Sequence, residues 1–193
     1  VFRADLAEIT GLGRLAPTPA PAPGDTTAPA VAPHADTLGY VVQVSAWSSL
    51  RDAYVDADSL EQGGTSAIVV PVELPRLGRR FRVYAGPLRD ASTADSALGS
   101  LRTGGWLRPG EGAVAALPLS FALAGGLGPN AAQAERARLR TAGVPCFILG
   151  QADGTYRLFA GAYETAVQAA ALQTLLSATG SAAELVPRVG FVP

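Results

Sequence analysis

The pattern of hydrophobic and polar residues predicts a strand-helix-strand-strand-helix order in the first half of the folded chain. Residues 40–46 alternate apolar and small polar side chains, as a half-buried strand does. The next residues place apolar side chains three or four positions apart, with Ser48 or Ser49 as the helix cap and Gly63 and Gly64 as the stop. The remaining elements of this half are predicted as strands at 67–70 and 80–85, a turn at Gly86-Pro87, and a helix capped by Asp90 or Ser92.

The second half of the chain repeats this order. A strand is predicted at 117–123, and Pro118 favours an edge or irregular position for it. Glycines at 125–128 predict a loop, after which Asn130 caps a helix. The elements that follow are predicted as strands at 146–149 and 155–160 around an Asp153-Gly154 turn, a turn at Gly161, a helix opened by Thr165, and a last strand at 184–186.

Two short segments carry the same sequence pattern, which indicates a duplication. The segment Arg82-Val83-Tyr84-Ala85-Gly86 matches Arg157-Leu158-Phe159-Ala160-Gly161, and the two glycines lie 75 positions apart. Each unit therefore has the order β-α-β-β-α-β. This order predicts an α+β fold of two four-stranded antiparallel sheets, each with two helices on one face and the other face open. The predicted core contains Val42, Val44, Leu60, Val83, Leu158 and either Leu172 or Leu175.

The chain divides into three predicted regions: an N-terminal arm at 1–36, a first unit at 37–110 and a second unit at 111–193. Within the arm, Phe2, Leu6 and Ile9 recur on one side of an amphipathic segment. That segment is either a frayed terminus or a peptide that docks on a partner. Residues 16–36 are rich in proline and alanine and predict an extended linker.

The composition excludes several classes of function. The net charge is −1 and the chain has no lysine, so no basic field indicates nucleic acid. No apolar run is long enough to span a bilayer, while a signal peptide or lipid anchor removed before Val1 stays open. The only cysteine and histidine are Cys146 and His34, and motifs for a nucleophile elbow or a phosphate loop are absent. We therefore expect no enzyme activity, no metal site and no cofactor.

Three segments resemble the SPOR domain family. The first, at 40–47, is similar to the first strand of these domains, and those at 81–88 and 156–163 are similar to the third. The resemblance implies binding of peptidoglycan glycan strands on the open sheet face. The glycan-binding residues it implies in the first unit are Gln43, Ser45, Arg82 and Tyr84, with Trp47 as either a sugar-stacking or a core residue.

Strand alternation predicts that Gln43 and Ser45 share one face of the sheet. The second unit lacks the glutamine, so its apolar strand is expected to pack on the first unit or on another protein. The sequence thus favours a non-catalytic, periplasmic or otherwise extracytoplasmic binding protein that recognises peptidoglycan. The alternative is an accessory structural subunit, docked on a large membrane-associated complex such as an energy-transducing one.

Overall fold

The computed structural model describes residues 37–74 and 76–193, which form two copies of one α+β unit. The first repeat comprises β1 (Tyr40–Trp47), α1 (Leu50–Gln62), β2 (Ala67–Leu74), β3 (Gly78–Leu88), α2 (Ala91–Thr103) and β4 (Ala113–Ala116). The second repeat comprises β5 (Leu119–Leu127), α3 (Pro129–Thr141), β6 (Phe147–Gly150), β7 (Tyr156–Tyr163), α4 (Ala166–Ala178) and β8 (Glu184–Pro187). The order β-α-β-β-α-β in both repeats confirms the predicted fold class.

The two sheets have the same topology and the same register. Their strand orders are β2-β3-β1-β4 and β6-β7-β5-β8, and every pairing is antiparallel. Gln43 pairs with Tyr84 in the first sheet, as Ala122 pairs with Phe159 in the second. The duplication therefore extends to individual cross-strand pairs.

The predicted helix caps are found in the first repeat, but one of those predicted in the second repeat is not. The side chains of Ser49 and Asp90 accept hydrogen bonds from backbone N–H groups in the first turns of α1 and α2. Helix α3 is capped by Gly128 rather than by the predicted Asn130. Pro129 occupies the first turn, where its fixed φ suits a helix and its missing N–H leaves no donor unsatisfied.

The predicted turns at Gly86 and Gly161 are wrong, because β3 and β7 continue through both glycines. The two residues adopt φ values of 135° and 74°. The register of the partner strand shifts opposite each of them, between Tyr40 and Val42 and between Leu119 and Phe121. Glycine here permits a bulge inside a strand rather than a reversal of the chain.

The join between the repeats differs from the prediction in two further respects. Strand β4 completes the first sheet and lies beyond residue 110, the predicted end of the first unit. Strand β5 starts after Pro118 and lies between β7 and β8 rather than at an edge, but its register with β7 is irregular, which confirms the other alternative. It also includes Gly125 and Gly126, two of the three glycines predicted as a loop. Pro118 still contributes to the sheet, since its carbonyl accepts a hydrogen bond from the Arg188 backbone N–H (2.9 Å).

One apolar core lies between the first sheet and its helices, and a second includes residues of both repeats. The predicted core residues are buried in these two clusters, and of the last two alternatives Leu172 is fully buried while Leu175 is half-buried. Those found buried are Val42, Val44, Leu60, Val83, Leu158 and Leu172.

Candidate glycan-binding face and the contact between the repeats

The candidate site is the face of the first sheet that is turned away from α1 and α2, here called the rear face. Strand alternation sends Val42 and Val83 to the helices, and their neighbours to the opposite side. The rear face comprises Val41, Gln43, Ile68, Val70, Arg82 and Tyr84.

The second repeat covers most of this face, so the prediction of an open face is wrong. Val41 and Val70 are 0% exposed and Tyr84 is 3% exposed. They belong to one apolar cluster with second-repeat residues that include Phe159, and β2 lies against β7. The pKa of Tyr163 is raised, first by burial and then by the nearby Tyr84.

A sequence signal for this burial exists in β2. Residues 67–70 read Ala-Ile-Val-Val without alternation, a pattern typical of a strand with both faces covered. All four residues are buried, in alternation against α1 and against the second repeat.

Three of the five predicted glycan-binding residues lie together on the rear face. Gln43 and Tyr84 are cross-strand partners, and one Nη of Arg82 donates to the Tyr84 hydroxyl at 3.5 Å. Gln43 and Arg82 are half-buried. The Arg82 Nε is buried without a hydrogen-bond partner among the described residues. Gln43 and Arg82 form a polar rim next to the contact between the repeats, and Tyr84 is buried within that contact.

Ser45 and Trp47 lie on the helix side, so the predicted shared face for Gln43 and Ser45 is wrong. A register shift between these two residues reverses the alternation of β1. The Ser45 hydroxyl donates to Asp56 of α1. The Trp47 indole N–H lies 2.9 Å from Ser45 Oγ and 3.2 Å from the Asp56 carboxylate. Trp47 thus packs against the core of the first repeat.

Helices α1 and α3 connect the repeats by charged contacts. Both terminal nitrogens of Arg140 donate to the Asp58 carboxylate, at 2.7 and 2.6 Å, and Arg136 pairs with Glu61 at 2.6 Å. The Arg140 guanidinium also lies 4.0 Å from the centre of the Tyr54 ring. Burial raises the pKa of Tyr54 to about 12, although Arg140 opposes this shift. The spacing of acids on α1 and arginines on α3 is a sequence signal for this pairing.

A buried arginine near the C-terminus joins the start of the first repeat to the second sheet. Arg188 Nε donates to the Leu38 carbonyl at 3.0 Å, and one Nη donates to Ser120 Oγ at 3.1 Å. The Ser120 hydroxyl donates in turn to the Gly161 carbonyl. Burial lowers the pKa of Arg188 to about 9. No sequence pattern singled this residue out.

The single thiol of the chain, Cys146, is half-buried against α3. Burial raises the pKa of the Cys146 thiol to about 12, which is unfavourable for a nucleophile. Within residues 37–74 and 76–193, no three His, Cys, Asp or Glu side chains are grouped to hold a metal ion. No helix in this part of the chain has the length and apolar character needed to cross a bilayer. The predicted docking residues Phe2, Leu6 and Ile9 lie outside the described residues.

Comparison with known proteins identifies both repeats. The family model of the SPOR domain matches residues 37–109 and 123–187, which is more than half of the chain. SPOR domains are non-catalytic domains that bind peptidoglycan, and they occur in periplasmic and cell-envelope proteins. No curated protein and no solved structure is similar enough to this chain to count as a match.

Proposed function

The chain belongs to the SPOR domain family, and from that premise we propose that it is a non-catalytic protein-binding scaffold of the cell envelope. The observation that carries this proposal is the burial of the rear face of the first sheet by the second repeat. In this proposal, the sheet face that the family resemblance implies for glycan binding serves instead for contact between the two repeats.

Glycan binding on the whole rear face would require the repeats to separate. Separation would expose Val41, Ile68 and Val70, at roughly 1.5–3 kcal/mol for each large apolar side chain that returns to water. It would also break the ion pairs between α1 and α3. A glycan strand offers mainly polar groups, such as hydroxyls and amides, and compensates poorly for the loss of these apolar contacts. The closed arrangement therefore favours a protein partner, bound on other surfaces.

The scaffold proposal assigns the N-terminal arm to attachment. Phe2, Leu6 and Ile9 are large apolar residues ahead of a linker rich in proline and alanine. Burial of such side chains on a partner offsets the cost of ordering the arm. In this proposal the partner is a large protein assembly of the envelope or its membrane.

A second candidate function is peptidoglycan recognition by the first repeat. Two observations favour it: the family match, and the half-buried polar rim of Gln43 and Arg82, whose guanidinium reaches the buried Tyr84 hydroxyl. In this reading a glycan strand contacts the rim, whereas Ser45 and Trp47 bind no sugar there, because they lie on the helix side of β1.

Pull-down with amidase-treated sacculi separates the two candidates. We expect the full chain to show no retention above a protein without a SPOR domain. Retention that the pair Gln43→Ala and Arg82→Ala abolishes, while Arg89→Ala leaves it intact, would contradict the scaffold proposal and support glycan recognition. Retention that neither variant changes would contradict both candidates.

Attachment through the arm is tested on the assembly itself. From native envelopes, the full chain should co-purify in a complex of defined composition and mass. The triple change of Phe2, Leu6 and Ile9 to serine should release it from that complex, whereas Val55→Ser, an exposed apolar position in α1, should not. Equal recovery of the complex with the triple variant would contradict the role of the arm.

A further inference from the structure

The β2–β3 hairpin ends in an exposed tip that combines arginines with a leucine. Arg76 and Arg79 are exposed, Arg80 is half-buried, and Leu77 at the apex is 49% exposed. The only acid in this stretch is Glu73, which pairs with Arg79 at 2.8 Å. The tip therefore carries a local excess of positive charge, although the whole chain has a net charge of −1.

The backbone of the tip holds Arg76 in a conformation that suits glycine. The Leu77 N–H donates to the Leu74 carbonyl at 3.2 Å, which closes a tight turn, and Arg76 has a φ of 68°. A left-handed φ is unfavourable for a residue with a Cβ, and glycine is usual at such a turn position. An arginine here raises the charge of the tip at the expense of turn stability.

We propose that this tip is a contact site for the anionic phospholipid headgroups of a membrane surface. The guanidinium groups of Arg76 and Arg80, with Arg79, donate to phosphate oxygens, which match the planar fork of arginine. Leu77 inserts at the boundary between headgroups and acyl chains, while the arginine stems lie along it.

The shape of the tip favours a membrane over an acidic protein. The apolar residue and the charges stand on the convex end of a two-stranded hairpin, which can approach a plane without a matching cavity. Val167 of α4 is 86% exposed, but α4 contains no charged residue. Leu77 therefore combines an exposed apolar side chain with neighbouring cations, and Val167 provides a matched control.

Co-sedimentation of the full chain with lipid vesicles tests the proposal. At low salt, the protein should bind vesicles of phosphatidylglycerol mixed with phosphatidylcholine, and it should bind pure phosphatidylcholine weakly. Binding should fall as salt is added. Leu77→Asp should weaken binding to the anionic vesicles several-fold, and Val167→Asp should leave it unchanged.

The most informative variant is Arg76→Gly. It removes one guanidinium but relieves the left-handed φ, so vesicle binding should fall while the melting temperature rises. Arg89→Gln, beyond the opposite end of β3, changes the net charge equally and should leave binding unaffected. The proposal fails if anionic vesicles are not bound, if phosphatidylcholine is bound equally, or if Arg89→Gln weakens binding as much as Arg76→Gly. Binding to an acidic peptide without binding to vesicles would assign the tip to a protein partner and also overturn it.

Discussion

The thiol of Cys146 makes the stability of this protein sensitive to alkaline pH. Burial raises the pKa of this thiol from its ordinary value of 9.0 to about 12, so the unfolded thiol ionises at a lower pH than the folded one. Between these two values the unfolded state binds fewer protons, and stability falls as the pH rises. Tyr54, whose pKa is raised to about 12, contributes in the same direction from about pH 10.

Replacement of the thiol should remove part of this dependence. Cys146→Ala should be less stable than the wild type at pH 8, because a small cavity remains. The difference in free energy of unfolding between the two proteins should narrow by pH 11, because only the wild type loses the stability that its protonated thiol contributes. Urea unfolding of both proteins at pH 8 and at pH 11 measures the difference in their free energies of unfolding at each pH. An unchanged difference would mean that the thiol does not ionise on unfolding in this range.

Single residues also show what strand alternation could not predict. Gln43 lies beside Arg82 and Tyr84, as the sequence predicts. The motifs identify β1 and β3, and residues opposite each other on paired strands are neighbours. The predicted face of Ser45 is wrong, because one bulge reverses every side chain after it, whereas Trp47 follows the core alternative. A bulge leaves no mark in a pattern of apolar and polar residues that is only eight positions long.

Among the elements, the contact between α1 and α3 should contribute measurably to stability. Arg140 binds Asp58 with two hydrogen bonds and also contacts the Tyr54 ring. Both ion-pair partners are about one-third exposed or more, so solvent weakens the interaction. A double-mutant cycle with Arg140→Ala and Asp58→Ala should give a coupling of about 0.5–1 kcal/mol.

The pair Arg138 and Glu135 within α3 provides the control for this cycle. It has a similar geometry, but both residues lie in one helix and are three positions apart. Its coupling should be about 0.2–0.5 kcal/mol, the value for a surface pair on a helix. Urea denaturation of the wild type, the two single variants and the double variant in each cycle measures both coupling energies. A coupling for Arg140 and Asp58 no larger than that of the control would mean that α1 and α3 are not held by this pair.

The order of the elements was predictable, whereas several of their ends were not. The helical spacing of apolar residues and the capping residues were enough to locate α1 and α2, because both signals depend only on nearby residues. The repeat order predicted the fourth strand of the first unit but did not locate β4, because its residues, Ala113 to Ala116, lack both alternation and turn signals. The glycines at 86 and 161 were interpreted as turns, since a glycine in a bulge and a glycine in a turn have the same sequence signature.

At the scale of the whole molecule, the closure of the rear face could not be predicted from either repeat alone. The sequence motifs of β1 and β3 indicate a surface that binds a ligand. Within the first repeat, only the apolar run of β2 indicates that the rear face is buried as well as the helix side. Which partner covers that face depends on contacts between residues far apart in the chain, such as Tyr84 with Tyr163. Sequence reasoning could therefore predict both folds, the family, and packing of the second repeat on the first or on another protein, but not that this packing buries the candidate site.

Mutual burial predicts that the two repeats unfold together. Leu158 is fully buried in the cluster that includes the rear face, so Leu158→Ala should cost about 2–5 kcal/mol. Both tryptophans of the chain, Trp47 and Trp106, pack in the core of the first repeat and report its unfolding by fluorescence. Because the rear face loses its cover when the second repeat unfolds, the fluorescence midpoint in urea should shift as far as the midpoint from circular dichroism. Leu60→Ala, within the core of the first repeat, should likewise shift both midpoints together. A tryptophan transition that stays at the wild-type midpoint in Leu158→Ala would show that the first repeat is stable without the second, and that its rear face can open.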